Sequence, residues 1–393
     1  MKFPQVSVDV AGNYHVKVMV GEVEFNLPLP APTQLSWPIS PVSSLAQPEP
    51  IYRLPDDWVC SAITTPLSEI YDWSFEFSGV PKLWAETRGE GLKICVLDTG
   101  VDDTHSDLQK NLKESRDFTG SLNGPRDVVG HGCWCCGLLC AEAGNDYGVA
   151  GIANKADLYS GKVLGDNGAG TDKTIAKGIE FAVEVGADIV SLSLGGGRMS
   201  EWLHAVFREF VSQPRKFIFA ASGNDGASVN YPGAWIETIG VGAVGRDGRL
   251  TRFTSRGPQL DILAPGVDML STIPVNQGSF GTMTGTSMAT PFAAGVGALA
   301  LAKHLKLGGT TGLETMDDMR AHLKKTGINH GDGYGLIDPA KFLAGLAPPV
   351  PEQPPPSVPT PDDGFVFDIP YVGRFAIRSP AVAGDLVSLR RVA

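Results

Sequence analysis

An α/β fold with a mainly parallel sheet, covered by helices on both faces, is predicted by two features of the central sequence. Short apolar runs of strand length recur at residues 93–97, 188–192 and 216–220. Segments whose apolar residues have helical spacing accompany them, at residues 173–185 and 200–211. Because strands buried on both faces read as continuous apolar runs, this alternation is typical of a parallel sheet between two helical layers.

Proline-rich stretches and changes of pattern divide the chain of 393 residues into four parts. The α/β pattern occupies residues 77–346, and residues 1–76 precede it as an extension. We expect a stiff, proline-rich linker over residues 347–363. A short β-type tail follows over residues 364–393, which is too short to fold alone.

The N-terminal extension begins with a predicted β-hairpin. Alternating residues indicate strands at 6–10 and 15–25, joined by an Ala-Gly-Asn turn. The many prolines between residues 27 and 55 prevent long regular elements, so we expect an extended connection there.

Composition and charge exclude several classes of function. The chain has 32 basic and 43 acidic residues, a net charge of -11, which argues against nucleic acid as a partner. It has no apolar run near 18 residues and no apolar segment of signal-peptide type at its start, so we expect no membrane span and no classical secretion. A cytoplasmic location is the expectation, with non-classical export as the alternative.

The six cysteines do not form a disulfide framework. Four of them, Cys133, Cys135, Cys136 and Cys140, fall within one short apolar segment. Neighbours on a helix rarely have the Cα separation and converging Cβ vectors that a disulfide requires. Reduced thiols in a reducing compartment are therefore the simpler interpretation.

Three polar residues stand at the ends of predicted elements. Asp98 follows the strand at 93–97, His131 opens an apolar helical segment, and Ser287 precedes a small-residue helix over 292–305, with Pro291 expected in its first turn. Each residue alone has an ordinary interpretation, as a turn cap, a core histidine or a helix N-cap. Together they are the residue types that nucleophilic acyl transfer requires.

These segments, in the order Asp, His, Ser, resemble those of the subtilisin-like serine proteases over residues 77–346. Residues 285–291, Gly-Thr-Ser-Met-Ala-Thr-Pro, carry the most specific part of the resemblance. The resemblance implies a three-layer subtilisin-like fold and a serine endopeptidase. In that enzyme Ser287 attacks, His131 moves the proton and Asp98 orients the histidine, and no cofactor is required for the chemistry.

The segment over residues 220–226 resembles the oxyanion-hole segment of the family. The resemblance implies that the Asn224 side-chain amide and the backbone N–H of Ser287 stabilise the tetrahedral oxyanion. Asp225 follows, where it would line the pocket for the residue before the cleaved bond and favour a basic or polar side chain. The alternative for Asp225 is a solvated loop acid.

Two further segments resemble the edges between which the family binds an extended polypeptide as an added strand. This mode fixes the conformation of the substrate through main-chain bonds, so side-chain preference must come from pockets. The edge residues are Gly168, Ala169, Gly170, Ser193, Leu194 and Gly195.

The resemblance also extends to a calcium site of the family. Asp107 and Asn145 lie in segments similar to the family's strong calcium site, which implies a structural calcium ion with oxygen ligands. The loop before Asn145 is one residue longer than usual, which leaves a site without an ion as the alternative.

Family members commonly carry an inhibitory prosegment, so we expect part of residues 1–76 to cover the active-site face or to pack as an accessory hairpin.

The sequence departs from the family after His131. Cys133 and Trp134 stand where the family has other residues, and we expect them to alter the packing behind the histidine, with thiols near the imidazole affecting its tautomer or pKa. A second interpretation is that His131 and the cysteines bind a soft metal, although their spacing matches no paired Cys-x-x-Cys unit.

Two alternatives to hydrolysis remain open at this point. One is a catalytically silent fold kept as a peptide-binding scaffold, which is motivated by the departures near His131. The other is transfer of the acyl group to an amine, which would make the protein a peptide ligase or cyclase.

Overall fold

The computed structural model describes residues 51–54, 61–62, 68–198, 200–329 and 335–346, together with the backbone of strands near both termini. Its contacts divide the chain into two compact units, Met1–Pro48 and Glu49–Ala393.

The first unit contains a three-stranded antiparallel sheet. Its strands are β1 (Gln5–Val8), β2 (Tyr14–Val20) and β3 (Val23–Pro28), paired in that order. The predicted hairpin is confirmed, but the prediction of a single strand over residues 15–25 was wrong. Val20 pairs with Val23, so the chain reverses between them, where Gly21 gives the turn signal that the strand pattern concealed.

The second unit contains the remaining strands and all the helices of the described residues. The strands are β4 (Ile51–Arg53), β5 (Ser61–Ala62), β6 (Lys93–Asp98), β7 (Leu112–Asp117), β8 (Asp157–Lys162), β9 (Ala169–Thr171), β10 (Ile189–Leu192), β11 (Phe217–Ala221), β12 (Ile239–Val244), β13 (Ile262–Pro265), β14 (Met269–Thr272), β15 (Phe280–Met283), β16 (Ile328–Asn329), β17 (Gly335–Leu336), β18 (Val366–Ile369), β19 (Gly373–Ile377) and β20 (Leu389–Val392). The helices are α1 (Trp73–Ser78), α2 (Val80–Leu83), α3 (Ser106–Gln109), α4 (His131–Cys140), α5 (Asp172–Glu184), α6 (Glu201–Val211), α7 (Thr286–Lys306), α8 (Met316–Thr326) and α9 (Pro339–Ala344), with a 3-10 turn at Val275–Gln277.

Nine of these strands form one sheet in the order β16-β17-β13-β12-β11-β10-β6-β8-β7. Every pair in it is parallel except β16 with β17. The predicted α/β class with a mainly parallel sheet is therefore confirmed. The three predicted buried strands are β6, β10 and β11.

Helices cover both faces of the sheet, and the alternation of side chains along β6 shows how. Ile94 and Val96 belong to the core that α4 and α7 complete, whereas Cys95 and Leu97 belong to the core that α5 and α6 complete. Successive side chains of a strand point to opposite faces, so a continuous apolar run serves both cores.

The remaining sequence predictions are resolved only in part. Most of the predicted extended connection and the predicted linker lie outside the described residues, but Ile51–Arg53 within the former is a strand. The two predicted strands of the tail are β18 and β19, and β20 joins them in a separate antiparallel sheet. Among the described helices, none is long and apolar enough to cross a membrane.

Candidate active site

Asp98 and His131 form a buried pair at the carboxyl end of the parallel sheet. Asp98 is the last residue of β6, and its Oδ1 lies 2.8 Å from Nδ1 of His131. Both side chains are fully buried. The Thr99 amide also donates to Asp98 Oδ1, at 2.7 Å, which fixes the carboxylate toward the imidazole.

His131 is the first residue of α4, and the buried carboxylate of Asp127 holds the start of that helix. Asp127 accepts hydrogen bonds from the amides of Val129, Gly130 and Cys133 and from the Thr99 hydroxyl, at 2.8 to 2.9 Å. The sequence prediction did not include Asp127. An acid a few residues before a helix start is a usable capping signal, but nothing in its spacing distinguishes it from an ordinary turn acid.

The turn after Asp98 and the start of α4 are in backbone contact. The Gly132 amide donates to the Thr99 hydroxyl at 2.8 Å. A Cβ at Gly132 would lie 2.3 Å from the carbonyl oxygen of Gly100, so any side chain there would separate β6 from α4. The glycine after His131 thus sets the distance between aspartate and histidine.

Two opposing effects act on the pKa of His131. Burial lowers it, because a low-dielectric site disfavours the imidazolium, whereas the Asp98 carboxylate and, after it, Cys135 raise it. The charge of Asp98 prevails, and the pKa of His131 lies well above its usual value.

The thiol of Cys135 contacts both His131 and the segment of Ser287. Its Sγ lies 3.9 Å from Nδ1 of His131 and 3.9 Å from the carbonyl oxygen of Ser287. Burial raises the pKa of Cys135, so the group is a neutral thiol near pH 7. The five cysteines of the described residues are all free and buried, as expected.

The structure gives the contacts of Cys133 and Trp134, whose expected effect on the packing behind His131 stays a prediction. Trp134 Nε1 donates to the carbonyl of Gly281 at 3.1 Å, and the Cys133 thiol contacts the Thr272 hydroxyl at 3.9 Å. Both side chains therefore pack on the β14–β15 hairpin.

The positions of the cysteines do not favour the interpretation that His131 and the cysteines bind a soft metal. Asp98, His131 and Cys135 have ligand atoms within 4.8 Å of one another, and no other such group occurs among the described residues. A structural zinc site needs four ligands, usually with thiolates. Only one cysteine of α4 belongs to this group, and its thiol is neutral.

Ser287 is the second residue of α7, and its backbone is fixed by Ser193. The predicted helix over residues 292–305 begins earlier, at Thr286, so Pro291 lies in the second turn and not in the first. A proline has no N–H, and the carbonyl of Ser287 therefore lacks its helical donor. The Ser193 hydroxyl donates to that carbonyl instead, at 2.7 Å, which makes the proline tolerable.

Asn224 approaches the same helix start from the loop after β11. Its Oδ1 accepts hydrogen bonds from the amide and the hydroxyl of Thr286, at 2.9 and 2.8 Å. Because Oδ1 is held in this way, Nδ2 faces the Gly285 side, where a Cβ would lie only 2.9 Å from it. The Asn224 amide is thus held at the start of the helix that carries Ser287, and its role as an oxyanion donor stays a prediction.

Comparison with known proteins agrees with this geometry. A family model for peptidase S8, the subtilase family, matches residues 89–335. The chain belongs to the subtilase family. It is 38% identical over 277 residues to an intracellular serine protease of Paenibacillus polymyxa, covering 67% of this chain and 83% of that protein.

Other relatives carry similar names. Subtilisin E of Bacillus subtilis (strain 168) is 38% identical, over 64% of this chain and 65% of its own length. The major intracellular serine protease of the same organism is 37% identical, over 57% and 72%. The chain thus spans 65% of the length of subtilisin E and 83% of that of the Paenibacillus protease, and these names place it among the serine peptidases.

In this subtilase, a strand of the chain itself lies between the two predicted peptide-binding edges. Ile51–Arg53 pairs antiparallel with Ala169–Thr171, with Tyr52 opposite Gly170. On the other side, the Arg53 amide donates to the carbonyl of Gly195 at 3.1 Å, and the Gly195 amide returns a bond of 3.4 Å.

The strand is closely held along its length. The Leu54 amide donates to the carbonyl of Gly168 at 3.2 Å. The side chains of Tyr52 and Leu54 are buried, whereas that of Arg53 is exposed. The structure thus brings together both predicted edges, which consist of Gly168, Ala169, Gly170, Ser193, Leu194 and Gly195.

Asp225 lies in the exposed loop after Asn224. Its Oδ1 accepts hydrogen bonds from the Ser255 hydroxyl and the Ala227 amide, and the bond from Ser255 lowers the pKa of Asp225. The carboxylate is therefore ionised and anchored, and its place in a specificity pocket stays a prediction.

The two predicted calcium ligands of this subtilase are in contact. Asn145 Nδ2 lies 3.3 Å from Oδ1 of Asp107, and the Val149 amide donates to Oδ2 at 2.8 Å. Burial raises the pKa of Asp107 to about 6.

Proposed function

We propose that this chain is a serine endopeptidase that forms an acyl-enzyme on Ser287. The observation that carries the proposal is the buried pair of Asp98 and His131, with a separation of 2.8 Å, beside the helix start that holds Ser287. The position of Asn224 supports it independently, because Thr286 holds Oδ1 and thereby leaves Nδ2 as the group that can donate to an oxyanion.

In the proposed mechanism, His131 takes the proton of the Ser287 hydroxyl as Oγ attacks the peptide carbonyl carbon. The Asn224 amide and the backbone N–H of Ser287 stabilise the oxyanion of the tetrahedral intermediate. His131 then protonates the leaving amine, and the C–N bond breaks. Water, activated by His131, releases the acyl group and restores Ser287.

Cleavage of a mixed peptide library tests the proposed function. We expect wild-type protein to give fragments whose masses correspond to the addition of one water, and folded Ser287→Ala to give none. Fragments joined to amines would indicate a ligase, and binding of peptides without any cleavage would indicate a silent scaffold. Either result would contradict the proposal.

We also propose that the strand Ile51–Arg53, with Leu54, inhibits the enzyme by occupying its cleft. The support is the substrate-like pairing, in which main-chain bonds are made to Gly195 on one side and to Gly168 on the other. An extended substrate needs the same donors and acceptors, so the strand and the substrate exclude each other.

A calcium ion bound by Asp107 and Asn145 is a further proposal. A buried carboxylate, with Glu69 and Glu142 adding negative charge nearby, provides the oxygen-rich anionic site that calcium prefers. A hundred-fold excess of calcium over its dissociation constant would stabilise the protein by about 2.7 kcal/mol. We expect calcium, and not magnesium, to raise the Tm of wild type and of Asp146→Asn, but not of Asp107→Asn; an unchanged wild-type Tm would contradict this proposal.

Finally, we propose that the enzyme works in a reducing compartment inside the cell. The free, buried cysteines and the two relatives named intracellular serine proteases support this location. Fractionation of cells that produce the tagged protein tests it, and recovery mainly in the medium would contradict it.

A further inference from the structure

The pocket that Tyr52 fills contains an acid. The Tyr52 side chain is fully buried in the apolar cluster that includes Leu164, Ile175 and Leu194. Asp172, the first residue of α5, lies close to the phenol: after burial, its carboxylate is the next cause that raises the pKa of Tyr52.

Two polar groups meet in this pocket, the Asp172 carboxylate and the Tyr52 hydroxyl. Asp172 is 8% exposed, and its Oδ1 has no hydrogen-bond partner among the described residues. The Tyr52 hydroxyl is buried beside the same carboxylate, and a hydrogen bond from the phenol to Asp172 is a further cause of the raised pKa of Tyr52. An unpaired buried carboxylate oxygen is costly, so a ligand that donates a hydrogen bond to it gains free energy that an apolar ligand does not.

The pairing of the strand shows which substrate residue would enter this pocket. Arg53 lies opposite Gly195, and Ser193, two residues earlier, contacts Ser287. In a peptide bound in the same antiparallel register, the residue opposite Ser193 would carry the attacked carbonyl. The residue in the place of Tyr52 would then be the fourth residue counted back from the cleaved bond.

We infer that Asp172 is a specificity-determining residue, which selects substrates with tyrosine over phenylalanine at this fourth position. The inference rests on the proposed peptidase function. A substrate phenol can donate a charge-assisted hydrogen bond to the carboxylate, which is stronger than a neutral one. Phenylalanine fills the same apolar volume but leaves Oδ1 desolvated and unpaired.

The test is a competition between two peptides that differ only by Tyr or Phe at this position, mixed in one reaction with the full chain. Occupation of the cleft by the chain's own strand lowers the apparent rate for both peptides by the same factor, so the ratio of their kcat/KM values is unaffected. For wild type we expect a preference for tyrosine of about ten-fold.

Variants of Asp172 decide whether the carboxylate is the cause. Asp172→Ala should lower the preference to about one, and Asp172→Asn, which keeps the shape but not the charge, to about three. Asp317→Ala is the control, because Asp317 is also an acid in the first turn of a helix but is exposed and lies in α8, and it should retain the full preference.

The outcomes distinguish failure of the role given to Asp172 from failure of the proposed peptidase function. A wild type that cleaves both peptides equally, or a preference that persists in both Asp172 variants, overturns the role of Asp172 and leaves the peptidase function standing. If both folded wild type and folded Tyr52→Ala cleave neither peptide, and Ser287 reacts with a fluorophosphonate in neither, the proposed function is overturned and this inference with it.

Discussion

Two hydrogen bonds join Ser193, which directly follows strand β10, to Ser287 of helix α7. The Ser193 hydroxyl donates to the Ser287 carbonyl at 2.7 Å, and the Ser287 hydroxyl lies 3.3 Å from the Ser193 carbonyl. The first bond replaces the one that Pro291 cannot make. The predicted peptide-binding edge and the proposed nucleophile are thus fixed to each other, so we expect a substrate held by this edge also to be placed relative to Ser287.

Ser193→Ala is expected to disturb catalysis more than stability. Loss of the hydroxyl leaves the Ser287 carbonyl with only the distant Cys135 thiol, at a cost of about 1 kcal/mol in the free energy of unfolding. We expect kcat to fall about ten-fold, because the nucleophile is less well positioned. Initial-rate kinetics and urea unfolding measure the two effects.

Ser78→Ala is the control for this prediction. Its hydroxyl also donates to a helix carbonyl, that of Ser74 at 2.6 Å, but in α1, outside the proposed site. It should lose similar stability and no activity. An unchanged kcat in Ser193→Ala would mean that the serine pair does not position the nucleophile.

Asp127→Ala is expected to loosen the start of α4. Because Asp127 accepts from three amides there, its removal should lower the free energy of unfolding by about 2 kcal/mol, at the upper end for a helix cap. It should also lower kcat, since His131 loses its fixed position. Thermal unfolding and steady-state kinetics check both effects.

Thr315→Ala removes a cap of α8 and serves as the comparison. Thr315 accepts from the Asp318 amide at 3.2 Å. We expect a loss of about 1 kcal/mol without a change in kcat. Equal kcat values for Asp127→Ala and wild type would show that the capping network does not position the histidine.

Much of the fold, and the placement of the proposed reacting side chains at the ends of elements, follow from the sequence, because they depend on local patterns. The continuous apolar run at β6 requires burial on both faces, and an acid at its end falls at the sheet edge where such folds place their sites. The cap on α4 and the start of α7 were missed for a common reason. Asp127 binds amides close to it in sequence, but its bond from the Thr99 hydroxyl, like the bond from Ser193 to the Ser287 carbonyl, joins residues distant in sequence, which no local pattern reveals.

The strand in the cleft was anticipated only in outline. The prolines around residues 51–54 indicated an extended stretch, but an extended stretch is compatible with many partners. Pairing with both Gly170 and Gly195 is a tertiary relationship, and so is the burial of Tyr52 beside Asp172.

The pH dependence of kcat/KM should reflect the raised pKa of His131. Its proposed role as a base requires the neutral form, so activity is lost as the pH falls through this pKa, and the midpoint of the acid limb should lie above pH 6.5. The same pKa shift makes the free energy of unfolding depend on pH. The contribution of the charged pair is fully present below pH 6.5 and is lost as the pH rises through the folded-state pKa.

Cys135→Ala tests whether Asp98 or Cys135 is the main cause of the raised pKa of His131. Because burial keeps Cys135 a neutral thiol, its removal should leave the midpoint within a few tenths of a pH unit, as expected if Asp98 supplies the charge. A midpoint near or below pH 6.5 in wild type would contradict the role given to Asp98. A large downward shift in Cys135→Ala would instead assign the charge to a thiolate.

Tyr52→Ala is expected to release the proposed self-inhibition. The buried ring stabilises the strand in the cleft by about 2 kcal/mol, so its loss should raise the initial rate of a fresh preparation by up to roughly thirty-fold. Arg53→Ala is the matched control, since its main-chain bonds persist and its side chain is exposed. Identical initial rates for wild type and Tyr52→Ala would refute inhibition by this strand.

The most direct measurement is the covalent reaction of the protein with a fluorophosphonate, followed by intact mass and peptide mapping. The proposed mechanism predicts one adduct per molecule, on Ser287, and none on folded Ser287→Ala. The Tyr52→Ala variant should react faster than wild type, because its cleft is open more often. A folded Tyr52→Ala protein that remains unlabelled, or that is labelled at another residue, would contradict the assignment of Ser287 as the nucleophile.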